Sequence, residues 1–159
     1  MFSATSITSR VIAICIFAAA VTPSANAAPP DDACSLLTQA QVSAALGVSV
    51  GAGTYVTPTF KKTCTWNATT AGGGTVTLNL QSLAQYEAAK KSASYGNSVS
   101  ATSIGGIGDE AYYFGVNAIV SLIVKKGSVA FKVAVYAHIP VEKRQAAEKT
   151  LALQILSKL

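Results

Sequence analysis

Histidine occurs once in this sequence, at His138, and tryptophan once, at Trp66. Any Ser-His-Asp or Cys-His relay would have to pass through that one imidazole. It stands just before Ile139-Pro140 with no G-x-S-x-G motif in the chain, so no catalytic residue is expected. Acidic residues are also scarce, seven in all, and none falls in a calcium-loop pattern. With so few acids, one histidine and few cysteines, neither a metal site nor a cofactor is expected. Arginine is confined to Arg10 and Arg144, which disfavours nucleic acid as a partner. After the first 27 residues no apolar run approaches the length of about 20 that crosses a bilayer.

The leading segment is of a different kind. Arg10 is the only charge before Asp31, Val11 to Val21 is apolar, and Ala25-Asn26-Ala27 has the small-x-small form of a signal-peptidase site. Residues 1–27 therefore read as a secretory signal, with cleavage after Ala27 and a periplasmic or extracellular destination. Cys15 follows Ile14 within the apolar run, the wrong setting for lipidation, so no stable membrane anchor is expected. Removal of Cys15 leaves Cys34 and Cys64, and in an oxidising compartment such a pair reads as a disulfide. Residues 28–33 form a mobile Pro/Asp lead-in, and 34–159 suit a single domain.

Helix and strand signals alternate along that domain. Thr38 and Gln41 have capping-box spacing, and Gly47 supplies a stop, which predicts a helix over Gln39–Leu46. Thr54–Thr57, Thr63–Asn67 and Thr75–Leu80 read as strands, with Gly72-Gly73-Gly74 joining the last two. Ser82 and Gln85 repeat the capping box and open a second helix to about Ser94, stopped at Gly96-Asn97. Glu87 and Lys91 on it have the spacing of an i,i+4 ion pair. A polar loop then leads to Ile104-Gly105-Gly106. Strands are predicted at Ala111–Phe114, Ile119–Lys125 and Ser128–Ala137, with Val129, Phe131, Val133 and Val135 on one face. Pro140 opens a closing helix whose stripe is Ala147, Leu151 and Ile155. Short strand connections imply antiparallel pairing, so the expected class is α+β. It has a mainly antiparallel sheet covered by helices, in the order helix, strands, helix, strands, helix.

Several residues are candidates for binding. Trp66, Tyr55 and Tyr112 could line a ligand groove. Trp66 shares a strand face with Cys64 two residues away, so packing against a disulfide is the competing role. Lys61, Lys62, Lys125 and Lys126 are candidate anion contacts, set against a solvated-surface role at strand ends. Without Arg10, eleven Lys/Arg stand against seven Asp/Glu, a mildly basic balance suited to anionic envelope material. Asp109 and Glu110 follow a glycine-rich turn. Adjacent strand residues face opposite ways, which argues against a shared acid dyad and for capping of exposed amides.

Cys34-Ser-Leu-Leu-Thr, the helix end Ala45-Leu46-Gly47, Cys64-Thr-Trp and Gly106-Ile107-Gly108-Asp109-Glu110-Ala111-Tyr112 together resemble secreted bacterial domains of the DUF3558 kind. The resemblance implies a Mog1/PsbP-like or kinase-sensor-like architecture and no common activity; the lipobox of many such proteins is missing here. The function expected is an exported envelope domain that binds an unknown ligand or protein partner without catalysis. The alternatives are an enzyme of unrecognised type and a structural or accessory interaction protein.

Overall fold

Local capping chemistry fixes where the first two helices begin. The computed structural model describes residues 29–95, 99–116 and 119–159; the expected signal, Ala28 and the Gly96-Asn97 stop lie outside them. Helix α1 (Gln39–Leu46) starts at a reciprocal capping box. Gln41 N–H donates to Thr38 Oγ1 at 3.2 Å, and Thr38 N–H donates to Gln41 Oε1 at 2.8 Å. Gly47 ends the helix in the left-handed region at φ 75°, which a side chain would disfavour. Strands β1 (Thr54–Thr57), β2 (Phe60–Asn67) and β3 (Thr75–Gln81) follow. Helix α2 (Leu83–Tyr95) opens on the second box, with Ser82 N–H donating to Gln85 Oε1 and Gln85 N–H to Ser82 Oγ. The chain continues as β4 (Ser100–Ile104), β5 (Glu110–Val116), β6 (Ile119–Lys126), β7 (Val129–Tyr136) and α3 (Val141–Leu156).

These strands form one antiparallel sheet in the order β1-β2-β3-β7-β6-β5-β4. The last strand lies at the centre, pairing Val135 with Val76 on one side and Val133 with Leu122 on the other. The fold is thus α+β, with the element order read from the sequence. Two expectations need correction. The loop before Ile104 is strand β4, whose Ser100, Ala101, Thr102 and Ser103 are exposed. An edge strand wetted on both faces shows no alternation to read. Glu87 also turns from Lys91 towards Lys125, at 3.9 Å, while Lys90 pairs with Glu110. Contacts across to the sheet prevail over the weak i,i+4 pair.

Alternation along the strands divides the interior into two layers. Val76, Leu78, Phe131, Val133, Leu122 and Val124 face α1 and α3, meeting Val42, Leu46, Leu151 and Ile155. On the opposite face a smaller cluster of Tyr86, Tyr112, Ile123 and Ala130 packs beneath α2. Cys34 and Cys64 form a disulfide, Cα atoms 5.0 Å apart and 30 residues apart in sequence. It fastens the approach to α1 onto β2, stabilising by about 3–4 kcal/mol through chain entropy.

One buried group has an unusual setting. The β6–β7 ladder ends at Leu122↔Val133, and the Val135 N–H just beyond donates instead to Glu148 Oε1 at 3.0 Å. Glu148 is fully buried on α3, and its Oε2 has no hydrogen-bond partner. Burial pushes its carboxyl up to about 8, against weaker lowering by the Val135 N–H and the Arg144 charge.

Candidate functional site

The site begins where two strands part. Pairing between β2 and β3 runs from Asn67↔Thr75 to Thr63↔Asn79 and stops. Past that point Phe60, the first residue of β2, keeps its pairing with Thr57 of β1, and the Lys61 carbonyl accepts from the Ala33 N–H at 2.9 Å. Leu80 and Gln81 instead stay with β7, opposite Phe131 and Ala130. A cleft of about 450 Å³ occupies the gap. This is within the range of about 300–1,000 Å³ common for small-molecule sites.

Its walls are mostly apolar. Pro29, Pro30, Phe60, Leu80, Leu83, Val129 and Ala130 make up the apolar lining. Phe60 and Leu83 are 49% and 38% exposed, an unusual state for large apolar side chains that both border one concavity. The polar lining consists of Lys62, Asn79, Gln81, Ser82, Gln85 and Ser128. Lys62 Nζ donates to the Pro30 carbonyl at 3.2 Å, leaving further donor capacity. Gln81 carries a side-chain oxygen closed off from solvent without a partner. No acid, histidine or cysteine lines the cleft. The arrangement offers apolar contact, hydrogen bonds and a single positive charge.

The lead-in residues help build this wall. Asp32 accepts from the Cys34 N–H at 2.9 Å, and both its carboxylate oxygens accept from the Tyr55 hydroxyl, at 2.9 and 2.8 Å. That hydrogen bond, followed by desolvation, raises the Tyr55 hydroxyl from its ordinary value. Together with the Ala33–Lys61 bond and the disulfide, it holds residues 30–34 along β2.

The three aromatic candidates do not line one groove. Trp66 is buried on the α1/α3 side beside Cys64. A Cβ added to Gly53 would lie 2.7 Å from both Cys64 Sγ and Trp66 Nε1, so glycine is required where β1's approach crosses the disulfide. Tyr112 is buried on the other face, edge-on to Tyr86 at 5.3 Å, its hydroxyl donating to the Tyr86 carbonyl at 3.0 Å. Burial pushes that hydroxyl up to about 12. Tyr55 is engaged with Asp32.

The lysines separate as well. Lys61 is exposed and Lys62 enters the cleft. Lys125 lies 5.8 Å from the Tyr86 ring centre and faces Glu87. Lys126 pairs with Asp109 at 3.1 Å. Asp109 also accepts from the Gly127 N–H at 2.6 Å, the principal cause holding its carboxyl below the ordinary value. This is amide capping of the β6–β7 turn. Glu110 is lowered chiefly by Lys90. His138 is exposed on the bend after β7. Among the described residues there is no group of three or more His, Cys, Asp or Glu side chains placed to hold a metal ion. No described helix is long and apolar enough to cross a membrane.

Phe60, Leu80, Gln81 and Leu83 carry no sequence signal for a site. Strand alternation accounts for Leu80, and only the early end of the β2–β3 ladder turns the group into a cleft. Comparison with family models, curated proteins and solved structures finds no match for this chain.

Proposed function

We propose that the chain is an exported, non-catalytic binding domain that takes a small ligand in the β2/β3/α2 cleft. The observation that carries this reading is the pair of partly exposed side chains, Phe60 and Leu83, at the border of a 450 Å³ cavity with apolar walls. A lining without acid, histidine or cysteine supports binding over chemistry. The signal-like first 27 residues and the disulfide support an oxidising destination, periplasmic or extracellular. The likeness to DUF3558-type domains is part of the same reading and supplies no ligand. Val116 and Ile119, exposed and paired at the ends of β5 and β6, favour a second reading, docking of a protein partner there.

Native mass spectrometry of the exported mature chain tests the first reading. A retained small molecule that disappears in Leu83→Glu, with the far-ultraviolet spectrum and melting of the variant unchanged, supports it. A molecule retained equally by Leu83→Glu contradicts it, as does loss of partner binding only on Val116→Glu or Ile119→Glu.

A further inference from the structure

We infer that the cleft selects an amphipathic monocarboxylate, an apolar chain ending in one carboxylate, with Lys62 as the residue that reads the charge. The inference rests on the proposed ligand-binding role of this cleft and adds the ligand's chemical class.

Charge complementarity is the basis. Lys62 is the only charged residue of the lining. Lys62 is a half-buried residue whose ammonium is bonded to one neutral acceptor, the Pro30 carbonyl, with no ion pair to a carboxylate among the described residues. The other well-placed lysines differ in this respect, since Lys90, Lys125 and Lys126 each face an acid. An ammonium in a partly dry setting gains more from an incoming anion than one in water, because the local dielectric is lower. Gln81, Asn79, Ser82, Gln85 and Ser128 add uncharged polar groups to the lining.

The remaining surfaces fit the rest of such a molecule. Leu80, Val129 and Ala130 contribute apolar lining, and Phe60 and Leu83 can cover a chain that would otherwise meet water. A highly charged ligand such as a polyphosphate finds one lysine and an apolar lining, a poor match. A cationic ligand finds no acid.

Titration calorimetry of the mature chain with octanoate, 1-octanol and octylammonium tests this. The expected result is octanoate bound about tenfold or more tighter than octanol, as a charge-assisted hydrogen bond provides, and octylammonium weakest. Lys62→Met should bring octanoate down to the octanol level, and Lys62→Arg should keep most of the preference. Melting curves of both variants confirm that they are folded. Equal affinity for octanoate and octanol in the unmodified chain overturns the carboxylate inference while leaving the cleft as a binding site. A preference that survives in Lys62→Met overturns the role of Lys62. Absence of binding by all three probes counts against the proposed cleft itself.

Discussion

Replacing Glu148 by glutamine should stabilise the protein above neutral pH and flatten its pH dependence. The carboxyl is fully buried, has one hydrogen bond, from the Val135 N–H, and is raised from 4.5 to about 8. A raised acid pKa means that the folded state holds the proton more tightly than the unfolded chain. The associated stability is fully present below about pH 4.5 and is lost as pH rises through 8, at about 1.4 kcal/mol per pH unit between them. Across the whole window the loss approaches about 5 kcal/mol, a large share of the roughly 5–15 kcal/mol typical of a domain. The charged groups facing it are few. Arg144 on α3 opposes the shift, and Tyr113 on β5, its hydroxyl at about 12 mainly through burial, stays neutral throughout. Glutamine keeps an acceptor for Val135 and cannot ionise. Urea unfolding at pH 5, 7 and 9 reads the effect. The unmodified chain should lose stability steadily, and Glu148→Gln should hold nearly constant and exceed it at pH 9. Parallel pH profiles for the two proteins would refute the reasoning. Glu148→Leu should lie below Glu148→Gln at every pH, by about 1–3 kcal/mol, because the Val135 N–H loses its acceptor.

Other substitutions probe the fastening of β2. Replacing Cys34 and Cys64 together by serine should reduce stability by about 3–4 kcal/mol in denaturant unfolding, and the native mature chain, without Cys15, should show no thiol for alkylation without reduction. Gly53→Ala drives a methyl group to within 2.7 Å of Cys64 Sγ and Trp66 Nε1, and calorimetric melting should show a loss of about 1–3 kcal/mol. Thr38→Ala removes one half of the α1 capping box and should lower stability by about 1 kcal/mol in the same assay.

The elements whose signals are local were the ones legible in the sequence. Thr38/Gln41, Ser82/Gln85 and Gly47 act within a single turn, so α1 and the start of α2 follow from spacing alone. Phe131, Val133 and Val135 share the α1/α3 face by strand parity, and Lys132 on the other face makes the period of two visible. Strand β4 was hidden because exposure on an edge leaves no alternation. Glu148 could have been found, since it stands three residues before Leu151 and seven before Ile155, inside the apolar stripe of α3. The cleft could not be read, because it depends on where one ladder stops. Trp66 and Tyr112 look alike in a list of aromatics, yet strand parity and register send them to opposite faces of the sheet.

The most direct measurement is an amide NMR titration of the ¹⁵N-labelled mature chain with octanoate. The account predicts the largest saturable shifts at Lys62, Leu80 to Gln85 and Val129–Ala130, and their loss in Lys62→Met. Shifts centred instead on Val116 and Ile119, or none at millimolar octanoate, would contradict it.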